Sequence, residues 1–488
     1  MKYLPLLILL LIGISNAIYP STVDSIELKV IYSGSLITNN VESVNLSIYI
    51  PQEGVQRVDV NANYRYIFDE FGNRLVLLEW SKPKGTIDYN IEVVVRNNAK
   101  QLDGDKKIGD DSRYLKETNT VVINDEIRRL AYPYEKSLQK AAEMTILTNN
   151  LVKYDISLSG QRKPSDWVLV NRRGVCAEYS SLLLSLLRAS GIPARYVAGY
   201  AYSGESKKFI GHAWVEVLTD GGWIPFDATW LQAGYLDATH IKTSSLIDGN
   251  QTDKIVHRGG SIDWKRNDEK FEIINYQEKN ITDISISSES FSINGYGYIA
   301  ASVQGGCSIA HITVKSCTSE GDDMLNIYDS DRKFWFCGKN VLYWFFSSND
   351  LEKDFVYTCP VAVFDQIRTK SIAVELTGIK KLPDVFISGP STAGINEPFK
   401  LEASADGIFY SPNFTLNNGK TWDLKIAKPG VYKFYLYFDG AVAEKSVSII
   451  ERKEFSLSVV LPINATESFF ANITANNLLS DRNAKLRV

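Results

Sequence analysis

The sequence predicts a multidomain protein in which a central α+β domain lies between β-sandwich-like modules. Its 488 residues exceed the roughly 100–200 residues of one typical domain. Short strand-like runs separated by turn residues fill the chain before residue 100 and after residue 275. Between them, apolar residues recur at the i, i+3, i+4 and i+7 spacing of helices, and strands follow. Helices followed by an antiparallel sheet are typical of an α+β domain.

The first 17 residues, MKYLPLLILLLIGISNA, have the pattern of a signal peptide. Lys2 precedes an apolar run from Leu4 to Ile14, and the small residues Ser15 and Ala17 favour cleavage after Ala17. The run is too short to span a bilayer comfortably. Unless the signal is retained as an anchor, we expect a secreted or cell-surface protein without a stable membrane span.

The strand patterns divide the rest of the chain. Residues 18–100 predict an N-terminal β-sandwich, in which turns such as DEFGN and SKPKG separate short strands. Residues 119–275 predict the central α+β domain. A β domain with four cysteines is expected at 276–380 and an immunoglobulin-like β domain at 383–451. The short β segment 452–488 either pairs with the preceding domain or begins an incomplete one.

The charge excludes one class of partner. Lysine and arginine number 53 against 57 acidic residues, a net charge of −4, and no basic block is present. A nucleic-acid-binding domain typically carries a patch of clustered lysine and arginine residues. We therefore expect no nucleic-acid partner.

Five cysteines fall into two groups. The clustered cysteines predict two disulfides with three possible pairings, since an exported protein meets an oxidising environment; they are Cys307, Cys317, Cys337 and Cys359. Zinc is the competing interpretation, but the cluster contains no C-x₂₋₄-C pair. We expect neither a metal nor a cofactor, and Cys176 remains as the unpaired cysteine.

Cys176 lies in NRRGVCAEYS, where Gly174 allows a tight turn and a helical pattern begins. A lone cysteine is most often a buried structural residue. In the first turn of a helix, however, free N–H groups and the helix dipole favour a thiolate. The same N–H groups could stabilise an oxyanion.

A base and a carboxylate follow on two neighbouring predicted strands. His212 lies in GHAWVEV and Asp227 in WIPFDAT, with TDGG as the turn. If the loop between Leu218 and Trp223 has an even length, the two side chains are diagonal neighbours on one face. A cysteine, a histidine and an orienting carboxylate are the parts of a nucleophilic triad. His240, close to Asp237, is a weaker rival base.

Residues 160–245 resemble the transglutaminase-like superfamily, the papain-like cysteine acyl-transfer enzymes, whose core would span about residues 120–275. The resemblance rests on RRGVCAEYSSLLLSLLRASGIPARYVAGYAY, GHAWVEVL, GWIPFDATW and YLDATHIK. It implies a papain-like fold with Cys176 as nucleophile, His212 as general base and acid, and Asp227 as the residue that orients His212. Trp167 and Asn171, just upstream, are weaker candidates for an oxyanion donor.

These residues predict an exported amidase or protease that forms a thioester on a protein or peptide substrate. One alternative is a transglutaminase that cross-links proteins, in which an amine resolves the thioester; no motif for an amine site is recognisable. The other alternative is a non-catalytic adhesion protein whose β modules contact the cell surface or glycans.

Overall fold

A computed structural model describes the chain in segments: 19–132, 134–249, 252–279, 291–293, 296–319, 324–325, 331–347, 355–365, 369–377, 383–411, 414, 417–438, 441–451, 456–460 and 472–476. The predicted signal peptide and most of 452–488 lie outside these residues. The described chain forms two compact units, one made mainly of residues up to Leu376 and the other mainly of residues from Thr377 onward. Within the described segments, no helix has the length and apolarity needed to cross a membrane.

Six strands open the chain: β1 (Val23–Asn39), β2 (Ser43–Tyr49), β3 (Val55–Val60), β4 (Tyr64–Phe68), β5 (Arg74–Ser81) and β6 (Gly85–Asn98). They lie in two sheets, with β6 between β1 and β3 in one and β5 between β2 and β4 in the other. Every second residue of β1 is buried, as in Leu28 and Val30, because alternate side chains of a strand point to the same face.

The α+β region begins with β7 (Lys100–Gln101), α1 (Asp125–Ala131), α2 (Leu138–Leu151), β8 (Lys153–Tyr154), α3 (Ser165–Asn171), β9 (Arg173–Gly174) and α4 (Cys176–Ala189). Its strands are β10 (Ala194–Ser203), β11 (Lys208–Thr219), β12 (Gly222–Asp227), β13 (Gln232–Ala233), β14 (Tyr235–Leu236) and β15 (Ile241–Leu246). The central sheet has the order β13-β12-β11-β10-β15. Leucines of α4 and alternate residues of β11, among them Val215, share one buried cluster.

Three later strands return to the sandwich: β16 (Lys254–Arg258), β17 (Ser261–Arg266) and β18 (Lys270–Glu278). β17 and β18 pair with β1, and β16 pairs with β2. The predicted boundary at residue 275 placed β16, β17 and most of β18 in the central domain, whereas these pairings place the three strands in the two sheets of the N-terminal sandwich. The alternation of a strand shows which of its faces is buried, but not which sheet it joins.

The cysteine-containing region has the strands β19 (Phe291–Ile293), β20 (Tyr296–Val314), β21 (Cys317–Thr318), β22 (Met324–Leu325), β23 (Asp331–Ser347), β24 (Val356–Phe364) and β25 (Thr369–Thr377). The four cysteines form two disulfides, Cys307–Cys337 and Cys317–Cys359, which confirms the prediction and selects one of its three pairings. Cys307 packs in the same buried cluster as α4, so this region contributes to the α+β core.

The second unit contains β26 (Ile387–Ser388), β27 (Thr392–Gly394), β28 (Pro398–Tyr410), β29 (Asn417–Lys425), β30 (Gly430–Phe438), β31 (Ala441–Ile450), β32 (Ser456–Val460) and β33 (Asn472–Asn476). β28, β30 and β31 are neighbours in its main sheet, and β32 pairs with β33. Phe409 and Phe434 lie in its buried core. Within the described residues, the four α-helices all lie between Asp125 and Ala189, so the protein is mostly β, as expected.

Candidate active site

Cys176 is the first residue of α4, and its side chain is half-buried and free. The carboxylate of Glu178 accepts hydrogen bonds from the backbone N–H of Val175, at 3.0 Å, and of Lys163, at 2.9 Å. A Cβ atom at Gly174 would lie 2.2 Å from Glu178 Cβ, so only glycine leaves room for this cap. The first-turn N–H groups of a helix have no intrahelical acceptor, and those at Cys176 are therefore free to serve an anion.

The β11–β12 hairpin brings His212 and Asp227 together. Leu218 pairs with Trp223 and Thr219 with Gly222, so the loop contains two residues and has the even length that the sequence argument requires. His212 Nε2 lies 2.8 Å from Asp227 Oδ2, and both side chains are almost completely buried.

The other oxygen of Asp227 is also fixed. Asp227 Oδ1 accepts hydrogen bonds from the backbone N–H groups of Thr229, at 2.7 Å, and Trp230, at 3.3 Å. The turn after β12 thus orients the carboxylate that orients His212. Since Nε2 of His212 faces this carboxylate, its Nδ1 is left for the thiol of Cys176.

Two tryptophans enclose the imidazole. The ring of Trp230 stacks on His212 at 4.1 Å between centroids and 10° between planes. The ring of Trp214 also lies beside His212, with 6.1 Å between the two ring centroids. Large aromatic faces exclude water, and electrostatic interactions are stronger where water is excluded.

The surroundings of His212 favour its charged form. Burial alone would lower the pKa of His212, but the Asp227 carboxylate and then Cys176 raise it to about 10. Burial would raise the pKa of Asp227, whereas His212, and more weakly His240, lower it well below its usual range. The pair is therefore an imidazolium and a carboxylate at neutral pH.

His240 lies behind this pair. Its Nε2 is 3.5 Å from Asp227 Oδ2 and its Nδ1 is 3.3 Å from Asp237 Oδ1. Because both ring nitrogens face carboxylates, the geometry does not favour His240 as the base for Cys176. The donor atoms of His212, Asp227 and His240 lie within 4.8 Å of one another, and such a group could hold a metal ion. Two of these groups, His212 Nε2 and Asp227 Oδ2, bond each other directly at 2.8 Å.

The model of the transglutaminase-like superfamily core matches residues 126–228. This segment belongs to that superfamily. The match includes Cys176, His212 and Asp227.

Curated relatives match the chain over short stretches. A protein-glutamine gamma-glutamyltransferase from Pseudomonas aeruginosa is 40% identical over 75 residues, which are 13% of this chain and 11% of that protein. An uncharacterized protein from Mycobacterium leprae is 43% identical over 63 residues, which are 12% of this chain and 22% of that protein. The chain thus spans less than a quarter of the length of these relatives.

Solved structures are similar at low identity. The periplasmic domain of TgpA from Pseudomonas aeruginosa has 16% identity and a TM-score of 0.24, covering 43% of this chain and 89% of that chain. The transglutaminase of red sea bream has 10% identity and a TM-score of 0.18, covering 86% of this chain and 95% of that chain.

The two weaker oxyanion candidates lie on α3, before α4. Asn171 is exposed, and its amide donates a hydrogen bond to the carbonyl of Trp167 at 2.8 Å. The ring of Trp167 is half-buried beneath the cations of Lys163 and Arg173, at 5.5 and 5.8 Å. Asn171 thus spends its amide within its own helix, and Trp167 packs against two cations.

Sequence reasoning missed Trp230. The other tryptophan near Asp227 in the sequence, Trp223, packs against Tyr114 and under the guanidinium of Arg195, at 4.0 Å. Trp230, three residues after Asp227, stacks on His212 instead. Its only signal in the sequence is its place in the turn that caps Asp227.

Proposed function

We propose that this chain is an exported cysteine-dependent amidase or protease that works through a thioester acyl-enzyme. The observation that carries the proposal is the buried 2.8 Å pair of His212 and Asp227 beside the free Cys176. Cysteine, histidine and aspartate in these roles are a nucleophile, a proton carrier and an orienting group. The match of residues 126–228 to the transglutaminase-like core supports the same roles.

In the first half-reaction, the sulfur of Cys176 attacks the carbonyl carbon of an amide and a C–S bond forms. The positive ring of His212 favours the anionic, nucleophilic form of that sulfur. The negative charge that develops on the carbonyl oxygen is stabilised by N–H groups at the start of α4. The C–N bond then breaks as His212 gives its proton to the leaving amine.

In the second half-reaction, His212 is neutral and accepts a proton from water. The resulting hydroxide attacks the thioester carbonyl, the C–S bond breaks, and a carboxylic acid is released. His212 again carries its proton and the sulfur of Cys176 has left as the leaving group, so the cycle closes without a cofactor. Asp227 keeps the imidazole oriented and stabilises its positive charge in both steps.

Export is supported by two features. Residues 1–17 have the signal-peptide pattern, and the two disulfides of the cysteine-containing region are typical of proteins outside the cytoplasm. Expression in the native host, followed by N-terminal sequencing of the extracytoplasmic fraction, tests this part. Recovery of the protein only in the cytoplasm would contradict it.

Two measurements test the chemistry. Iodoacetamide is added to the native protein and the modified cysteines are identified by mass spectrometry. We expect Cys176 alone to react, because the other four cysteines are paired. A peptide-amide library is then screened for released amine, with Cys176→Ser as the control. A thiol that is inert until the protein is denatured would overturn the proposal.

A second candidate is a cross-linking transglutaminase, in which a lysine amine replaces water in the second half-reaction. It is favoured by the 40% identity over 75 residues to a protein-glutamine gamma-glutamyltransferase. A fluorescent primary amine, supplied with a glutamine-containing protein, distinguishes the two. Incorporation that depends on Cys176 and exceeds hydrolysis would favour this candidate, whereas release of acid without incorporation favours the hydrolase.

A further inference from the structure

His240 is a buried histidine that lies between two carboxylates. Its side chain is fully buried, and it approaches the same oxygen of Asp227 that bonds His212, at 3.5 Å. Its other nitrogen is 3.3 Å from Asp237. Both contacts are longer than a good hydrogen bond, and they place each ring nitrogen beside a carboxylate. The proposed triad uses none of the atoms of His240.

We propose that His240 is a positioning residue for the acyl-transfer reaction, which holds the Asp227 carboxylate in place and ionised and, through it, His212. The inference rests on the proposed function, because only a working Cys176–His212 pair gives such positioning an effect on the reaction.

Asp237 anchors the far end of this arrangement. Its carboxylate accepts hydrogen bonds from Gln232 Nε2, at 2.8 Å, from the backbone N–H of Thr239, at 2.9 Å, and from the hydroxyl of Thr239. These three donors fix the position of the Asp237 carboxylate. Because Asp237 lies beside Nδ1 of His240, it favours the ring orientation in which Nε2 faces Asp227.

The backbone brings His240 close to His212. His240 directly precedes β15, which pairs with β10, and β10 pairs with β11. At this point Gly199 of β10 lies opposite His212, and a Cβ atom there would be 2.1 Å from the carbonyl oxygen of Ile241. Only glycine permits this close approach of β15.

The two tryptophans that enclose His212 also enclose His240. The rings of Trp214 and Trp230 each lie 5.3 Å from that of His240, at 88° and 74°. Both imidazoles thus belong to one buried cluster, in which an unpaired charge is costly.

The charges of this cluster balance when both imidazoles are protonated. Burial lowers the pKa of His240. The carboxylates of Asp237 and then Asp227 raise this pKa by more than burial lowers it, and the positive charge of His212 opposes that rise. Without His240, two buried carboxylates would share one imidazolium. Asp227 would then lose a partner that lowers its pKa, and it would take up a proton at a higher pH.

The test uses the full chain and the rate at which iodoacetamide alkylates Cys176 across pH. His240→Phe removes both nitrogens, and His240→Gln keeps a neutral donor of similar reach. We expect the acidic limb of the alkylation profile to move to higher pH by about 1 unit in His240→Phe. We expect a smaller shift in His240→Gln. The exposed histidine His257 supplies the matched control, since His257→Gln should leave the profile unchanged.

Asp237→Asn provides a second route, because it removes the anchor without changing the size of the side chain. It should shift the limb in the same direction, even if His240→Phe does not fold. Thermal unfolding of each variant separates this effect from a loss of stability. Folded variants with the wild-type profile would overturn the inference. Wild-type Cys176 that does not react at all would overturn the proposed function instead.

Discussion

Strand β11 carries two buried charged clusters with different chemistry. His212 and Glu216 lie four residues apart and so share a face. The carboxylate of Glu216 lies 2.7 Å from the guanidinium of Arg195 and 3.1 Å from the ammonium of Lys242. Lys242 also pairs with Glu53 at 2.6 Å. We call this set the Glu216 cluster, and His212, Asp227, His240 and Asp237 the His212 cluster.

The difference between the clusters is the contact with a nucleophile. Arg195 and Lys242 bond Glu216, and Lys242 also bonds Glu53, so their charges serve the fold. His212 bonds Asp227 and also interacts with the free thiol of Cys176, so its proton lies where a reacting group can take it. Buried charge alone is thus a poor sign of catalysis.

The largest effect is expected at the nucleophile. Cys176→Ala should reduce amide hydrolysis by roughly 10⁴-fold or more, since no acyl-enzyme can form. The free energy of unfolding should change little, because the side chain is half-buried. Amine release from the peptide library and urea unfolding are the measurements. Retention of most of the activity would place the chemistry elsewhere.

Asp227→Asn should have the next largest effect. It keeps the size of the side chain but removes the charge that raises the pKa of His212, and the loss should be about 10³–10⁴-fold. Alkylation of Cys176 at neutral pH should slow in parallel. If activity falls but alkylation does not, the carboxylate acts on a step other than formation of the reactive thiol.

Glu216→Gln should affect stability rather than reactivity. Removing the carboxylate leaves Arg195 without this partner and Lys242 with Glu53 alone in a largely buried site, which costs about 3 kcal/mol of unfolding free energy. Glu272→Gln is the control: it breaks an exposed contact with Lys29 and should change the free energy of unfolding much less. Slower alkylation of Cys176 in Glu216→Gln would show that the two clusters are coupled.

The smallest effect is the pH dependence of stability. Since the pKa of Asp227 is lowered, its contribution is present above about pH 3.9 and is lost as the pH falls through the lowered value. Since the pKa of His212 is raised to about 10, its contribution is complete below about pH 6.5 and is lost as the pH rises towards that value.

The excess stability of wild type over Asp227→Asn should therefore be greatest at about pH 4–6.5. It should decline above that range by at most about 1.4 kcal/mol per pH unit. Urea unfolding of wild type and Asp227→Asn at several pH values measures this excess. An excess that does not change with pH would contradict a stabilising charge pair between His212 and Asp227.

Much of the site could be predicted because its signals are local. The start of α4 follows from Gly174 and the apolar pattern after Cys176, and its end at Ala189 follows from Gly191, which has a positive φ of 78°. The sheet that β16–β18 join could not be predicted, because partners distant in the chain leave no local pattern.

The sequence by itself determined the placement of Cys176 at a helix start and of His212 and Asp227 on one hairpin face. Helix signals and a two-residue turn act over a few residues, so the chain near each site is sufficient. Only the tertiary structure decided the stacking of Trp230, the place of His240 between two carboxylates and the pairing of the disulfides. Each depends on which strands and turns become neighbours, and many distant contacts together select that arrangement.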